Sequence, residues 1–116
     1  MKTRLLLACI SLFAFVAHAD AAGDCTKDQY GNVVCGGGQC ATDQYGKVLC
    51  AAAGGGAIRD RYGVVKCGIG YCATNDNGEV KCSVARGGGA AMDSYGRVKC
   101  LARCEDGSEQ RCEAAR

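Results

Sequence analysis

The residue type that recurs at the most regular spacing is cysteine. Ten cysteines fall between positions 25 and 112: Cys25, Cys35, Cys40, Cys50, Cys67, Cys72, Cys82, Cys100, Cys104 and Cys112. Two chemistries suit such a set. Thiolates hold soft metals, and zinc sites show knuckles with two to four residues between cysteines. Cys35-x4-Cys40, Cys67-x4-Cys72 and Cys100-x3-Cys104 border on that spacing, but there is no C-x-x-C and the one histidine, His18, lies near the N-terminus. Oxidised pairs are the other chemistry, and an even cysteine count in an exported chain is read that way.

Residues 1–19 carry the export signal. Lys2 and Arg4 precede the apolar run LLLACISLFAFVA, and Ala17-His18-Ala19 places small residues where a signal peptidase cuts. Thirteen apolar residues span about 20 Å as a helix, short of a hydrocarbon core of about 30 Å, so a signal helix is expected rather than a membrane anchor. A lipoprotein-type cut at Cys9 would leave an apolar stretch on the mature chain and is disfavoured. Cleavage after Ala19 removes Cys9, His18 and both Phe, and leaves 97 residues with equal numbers of basic and acidic side chains. The expected address is the periplasm or the cell exterior, with no membrane span after cleavage and no charge excess to attract nucleic acid.

The remaining candidates for chemistry are few. Without histidine, Ser-His-Asp and Cys-His catalysis are excluded from residues 20–116. Ser83, Ser94 and Ser108 lie outside any G-x-S-x-G, and neither a P-loop nor a dinucleotide fingerprint is present. Asp28, Asp43, Asp60 and Asp93 recur, but Asn75 takes their place once, which suits turn capping and not carboxylate chemistry. Tyr30, Tyr45, Tyr62 and Tyr95 share one position and are the candidate binding residues, for stacking on sugars or anchoring a partner; the competing expectation is that each covers a neighbouring repeat. Lys66, Lys81, Lys99 and Arg97 form either a basic strip or a solvated face. No enzyme activity, cofactor or metal is expected.

These residues belong to one unit written five times. Cys25-x2-Asp28-Gln29-Tyr30-Gly31-x-Val33-x-Cys35 recurs at 40–50, 57–67, 72–82 and 90–100, with Ala57 and Ala90 replacing the first cysteine in copies three and five. Residues 104–112 read as a degenerate sixth. Cys35, Cys67 and Cys100 lie 32 and 33 residues apart, so copies also group in pairs. Asp opening a turn with Gly three residues later predicts a β-hairpin with a type I turn and a glycine bulge. The D-x-Y-G-x-V rhythm resembles the hairpin repeats of secreted bacterial proteins of the YD type. That resemblance covers a turn and one strand and implies hairpins, not an activity.

Counting outward from the turn sets Cys25 opposite Cys35, Cys40 opposite Cys50, Cys72 opposite Cys82, Ala57 opposite Cys67 and Ala90 opposite Cys100, in non-hydrogen-bonded pairs. Alternation places Val33, Val48, Val65, Val80 and Val98 on the cysteine face, which is expected to be the core. The favoured bridges are Cys25–Cys35, Cys40–Cys50, Cys72–Cys82, Cys104–Cys112 and, by elimination, Cys67–Cys100. The last calls for hairpins 3 and 5 to meet, hence a compact or ring-like pseudo-symmetric arrangement. A rival scheme joins neighbours across linkers: Cys35–Cys40, Cys67–Cys72 and Cys100–Cys104. The Gly-rich linkers read as places where backbones approach closely. With so few large apolar side chains, cross-links must stabilise what burial cannot.

The expectation is therefore an all-β chain of five to six hairpin repeats. It comprises a signal peptide at 1–19, a short tail at 20–24, the repeat domain at 25–112 and a C-terminal tail at 113–116. Its expected role is structural or binding, toward a cell-envelope component or a protein partner. A thiolate metal protein and a small inhibitor or toxin are the alternatives.

Overall fold

The computed structural model describes residues 23–116. The signal-helix expectation, with Cys9 and His18, lies outside the described residues. Twelve strands form, all in antiparallel pairs. Ten of them make the five hairpins: β1 (Cys25–Lys27) with β2 (Val33–Cys35), β3 (Cys40–Thr42) with β4 (Val48–Ala51), β5 (Ala57–Arg59) with β6 (Val65–Cys67), β7 (Cys72–Thr74) with β8 (Val80–Ser83), and β9 (Ala90–Met92) with β10 (Val98–Cys100).

The register is the one the turn chemistry dictates. Cys25 faces Cys35, Cys40 faces Cys50, Ala57 faces Cys67, Cys72 faces Cys82 and Ala90 faces Cys100. At each tip the Asp N–H donates to the carbonyl four residues on, at 2.7–2.9 Å, and the Asn75 N–H does the same. Gly31, Gly46, Gly63, Gly78 and Gly96 hold φ between 80° and 85°. That conformation lies in the left-handed region, which is why glycine stands there in every copy.

The hairpins form a row in chain order: β3 lies against β5, β5 against β7, and β7 against β9. The tips lock successively. In hairpins 1 to 4 the residue before the tip position (Tyr30, Tyr45, Tyr62 or Asn77) sits on the turn glycine of the next hairpin, and a Cβ at Gly46, Gly63, Gly78 or Gly96 would come within 2.5–2.8 Å of Gln29, Gln44, Arg61 or Asp76 respectively. The Gln44, Arg61 and Asp76 N–H groups also donate to the carbonyls of Gly63, Gly78 and Gly96. The core runs between layers: Val65 and Ala57 of hairpin 3 pack with Ala41, Leu49 and Ala51 of hairpin 2.

Linker glycines permit close approach, as their composition predicts. A Cβ on Gly36 would lie 2.2 Å from the Cys50 Cβ, and one on Gly68 would lie 2.3 Å from the Cys82 Cβ. These two glycines are 32 residues apart, and the hydrogen bonds around them repeat at nearly the same interval. Gly38 N–H to Ala51 C=O matches Gly70 N–H to Ser83 C=O, and Gln39 N–H to Gly55 C=O matches Tyr71 N–H to Gly88 C=O.

Residues 104–116 depart from the expected sixth hairpin. Cys104 and Cys112 do not face each other. β11 (Cys104–Asp106) adds a third strand to hairpin 4 beside β8, and β12 (Cys112–Ala114) adds a third strand to hairpin 2 beside β4. A 3₁₀ turn at Glu109–Arg111, capped by the Ser108 side chain, joins them. The segment lacks the Asp-x-Tyr-Gly turn and runs back along the row as a strap. Between the two third strands Ser108 exchanges two hydrogen bonds with Cys67, and beyond β12 Arg116 does the same with Cys35. Residues 113–116, expected as a tail, are thus tied to hairpins 1 and 2. The free sides of β2, β4, β6 and β8 have outward N–H and C=O groups, and the strap pairs with groups on each of them.

The strap changes the connectivity. Cys25–Cys35, Cys40–Cys50 and Cys72–Cys82 form within hairpins, with Cα separations of 4.0, 4.0 and 3.9 Å. The expected Cys67–Cys100 and Cys104–Cys112 bridges do not form; Cys67 joins Cys112 and Cys100 joins Cys104. Of the rival scheme, only Cys100–Cys104 occurs. The reason is that β11 and β12 lie beside different hairpins, so each strap cysteine meets the unpaired cysteine of the adjoining layer. With hairpins 3 and 5 bonded to the strap, nothing draws them together into a ring.

Two of the five expected core valines depart from the expectation: Val98 is only half-buried and Val33 lies open. Val48, Val65 and Val80 are 5%, 1% and 5% exposed, but Val33 is 67% exposed. Hairpin 1 has no preceding layer among the described residues, so its inward-type face looks out.

Candidate functional site

The candidate site is the row of hairpin tips. Each tip is built by its capping residue. The Asp28 Oδ1 accepts the Tyr30 and Asn32 N–H groups, both at 2.9 Å. Asp43, Asp60 and Asp93 do the same for Tyr45 and Lys47, Tyr62 and Val64, and Tyr95 and Arg97, at 2.9–3.0 Å. The Asn75 Oδ1 accepts the Asn77 and Glu79 N–H groups at 3.0 and 2.9 Å. Two bonds from one carboxylate oxygen, with the glycine bulge, fix the backbone from which each tyrosine projects.

The tyrosines project into solvent. Tyr30, Tyr45, Tyr62 and Tyr95 are 79%, 76%, 65% and 78% exposed. The expectation that they cover neighbouring repeats is corrected here. Gln29, Gln44 and Arg61, one residue before Tyr30, Tyr45 and Tyr62, cover the next layer instead, as Asp76 does before Asn77. The Arg61 guanidinium lies 4.9 Å from the Tyr62 ring centroid and that of Arg97 lies 5.9 Å from Tyr95, both within cation–π range. In copy four Asn77 occupies the tyrosine position, so the aromatic row is interrupted once.

Open clefts separate successive tips. One of about 160 Å³ lies between hairpins 1 and 2, lined by Gln29, Tyr30, Val34, Gly46, Val48 and Ala115. Others lie beside Tyr62 and Glu79, and beside Asn77 and Arg97. They are grooves between protruding rings rather than closed pockets.

The lysines split into two kinds. Lys66 lies 4.0 Å from Asp60 and 3.9 Å from the strap residue Glu109, and Lys81 pairs with the strap residue Asp106. The hydrogen bond that Lys81 donates to Asp106 raises the Lys81 pKa above its ordinary value, against the opposing effect of burial. Lys66 and Lys81 therefore belong to the strap contact and not to a free basic strip, whereas Lys99 and Arg97 are exposed. At Asp93 the backbone hydrogen bond from Arg97, then that from Tyr95, lowers the carboxyl pKa, with Lys99 and Arg97 adding charge. This is the electrostatics of a cap.

All ten described cysteines are in disulfides. A disulfide sulfur carries no thiolate charge with which to hold zinc. Comparison with protein-family models, with curated proteins and with solved structures finds no match.

The strap residues Glu105, Asp106 and Glu109, which partner Arg111, Lys81 and Lys66, were not anticipated as contacts. The signal for them was the acidic run Glu105-Asp106 and Glu109 following three copies with lysine in the second strand.

Proposed function

We propose that the chain is an exported, non-catalytic binding protein of the periplasm or cell exterior. Its tip tyrosines hold a repetitive polymer of the cell envelope. The observation that carries this reading is the fourfold recurrence of an exposed tyrosine at one turn position. Each ring stands on a backbone held by two capping bonds and, in hairpins 1 and 2, by a bridge across the hairpin base.

Physical arguments support a polymer with flat apolar faces, such as a polysaccharide. An aromatic ring has a large apolar face and costs little conformational entropy to immobilise. Single stacking contacts are weak, but several on one rigid scaffold act together through effective concentration. The arginines beside Tyr62 and Tyr95 add donors for hydroxyl or anionic groups. Disulfides across the chain suit an oxidising compartment, and no helix among the described residues is long and apolar enough to cross a membrane.

The test is co-sedimentation with insoluble envelope polysaccharide from the source cell. The wild-type protein is expected in the pellet. A variant with Tyr30, Tyr45, Tyr62 and Tyr95 all changed to Ala is expected in the supernatant, with its disulfides and circular dichroism unchanged. Equal sedimentation of the two proteins overturns the reading.

A further inference from the structure

The row ends on two unlike and mutually complementary surfaces. Inside the chain each junction follows one rule: the residue before the tip position (Tyr30, Tyr45, Tyr62 or Asn77) lies on the next turn glycine, and the next valine faces the outer side of the preceding hairpin. Val65 on Ala41 and Leu49 is the best-formed case. Turn-glycine burial follows the layers: Gly31 is exposed, Gly46, Gly63 and Gly78 are half-buried, and Gly96 is buried.

At hairpin 1 the receiving half of the junction is unfilled. No described atom would lie within 4 Å of a Cβ on Gly31, and Val33 is exposed where Val48, Val65 and Val80 are buried and Val98 is half-buried. At hairpin 5 the giving half is unused. Ser94 stands where Gln29, Gln44, Arg61 and Asp76 stand, and Ala91 and Lys99 stand where Ala41 and Leu49 stand; all three are exposed. Lysine suits that place, since Lys66 and Lys81 occupy it, half-buried, within the row. The stem of such a lysine covers apolar surface while its head stays in water.

We propose that a second copy of this chain docks head to tail, its Gly31–Val33 face on the Ser94, Ala91 and Lys99 face of the first. The occupant is another copy because the two half-junctions are the two sides of the chain's own repeated interface. Repeat arrays need an end that differs from the interior if they are to stop growing, and hairpin 1 presents an interior-type face. The contact uses different surfaces on the two partners, so it is heterologous and leaves a free half-junction at each end of any assembly. Growth into short filaments follows, and the row of tip tyrosines continues from copy to copy.

The test uses sedimentation velocity on the purified exported protein over a concentration series. The expected result is a weight-average mass that rises with concentration through dimers to longer species. Val33→Lys blocks the head, because it sets a charge against Lys99, and Ala91→Lys blocks the tail, because it sets a charge against Val33 and repels the blocked head of the other variant; each variant alone is expected to remain a monomer. Both changes fall on exposed positions, and thiol titration near zero confirms that each variant is folded with its bridges intact. Mixing the two is expected to give heterodimers and nothing larger, since each variant retains one competent end. A wild-type protein that stays monomeric to millimolar concentration overturns the proposal. So does association that Val33→Lys leaves unchanged, or a mixture of the two variants that stays monomeric.

Discussion

Cys67 and Cys112 are 45 residues apart in sequence and joined by a disulfide, with their Cα atoms 5.3 Å apart. Cys112 sits beside Ala51 on the edge of hairpin 2, so this bond ties hairpin 3 to the strand added to hairpin 2. Cys100–Cys104 has the same relationship one paired repeat later: Cys104 sits beside Ser83 on the edge of hairpin 4 and bonds to hairpin 5. Cys67 and Cys100 are 33 residues apart, and Ala51 and Ser83 are 32 apart. The two bridges are therefore equivalent in the repeat, although one closes a long loop and the other a tight one. Ala57 and Ala90 make this possible, because each leaves its hairpin with one unpaired sulfur directed at the strap.

Removing these bridges separates their roles. In the chain-entropy description a bridge of the Cys67–Cys112 span contributes up to about 4 kcal/mol, and one of the Cys100–Cys104 span about 2 kcal/mol. The double variant Cys67→Ala/Cys112→Ala is expected to lose roughly twice the stability lost by Cys100→Ala/Cys104→Ala in urea unfolding. Proteolysis at residues 105–116 is expected to rise only in the first. Equal losses would mean that the strap is held by its hydrogen bonds and not by its long-range bond.

The capping chemistry predicts an asymmetry at one position. Asp43 accepts two backbone N–H bonds, and Asn75 makes the same pair in its own copy. Asp43→Asn is expected to be nearly neutral, while Asp43→Ala costs about 1 kcal/mol, as loss of a side-chain cap does elsewhere. Thermal unfolding of the two variants decides it. A large loss with Asn would assign the carboxylate a charge-dependent role.

Glycine positions divide just as sharply. Gly68→Ala drives a methyl group to 2.3 Å from the Cys82 Cβ and 2.5 Å from its sulfur, whereas at Gly89 the added carbon meets nothing within 4 Å. Gly68→Ala is expected to prevent formation of the Cys72–Cys82 bridge or to destabilise the fold by several kcal/mol, on the order of severe overpacking. Gly89→Ala is expected to be neutral or slightly stabilising through the unfolded chain. Yield of the oxidised protein and its melting temperature are the readouts.

Two pH limbs follow from the shifted groups. The Asp93 pKa lies below the ordinary aspartate value of 3.8, so its contribution is present above that value and lost as pH falls through the lowered one. The Lys81 pKa lies above the ordinary lysine value of 10.5, so its contribution is present below that value and lost as pH rises through the raised one. Melting temperature should be flat through the neutral range for both groups. Asp93→Asn is expected to shallow only the acid limb and Lys81→Met only the alkaline limb. A neutral-range slope removed by either variant would contradict the assigned causes.

What the sequence disclosed was local. The five hairpins, their register, the capping role of Asp28 and its equivalents and three of the bridges depend on residues within eleven positions of one another, where turn chemistry decides the geometry. The strap was hidden because β11 and β12 are three-residue polar strands, and their partners β8 and β4 are some twenty and sixty residues away. Nothing in Cys104-Glu105-Asp106 marks it for an existing sheet edge. Val33 was misplaced for a different reason: a repeat reading gives every copy the same surroundings, but the first hairpin has no preceding layer among the described residues. At the candidate site the tyrosine positions were legible and their exposure was not, since only the three-dimensional row shows that Gln29, Gln44, Arg61 and Asp76 take over the covering role.

The central claim is that a C-terminal strap, bonded to hairpins 3 and 5, binds the row together. Peptide mapping of the oxidised protein, digested without reduction and read by mass spectrometry, tests it most directly. The account predicts Cys67 linked to Cys112 and Cys100 linked to Cys104, beside the three hairpin bridges. Recovery of Cys67 linked to Cys100, with Cys104 linked to Cys112, would contradict it.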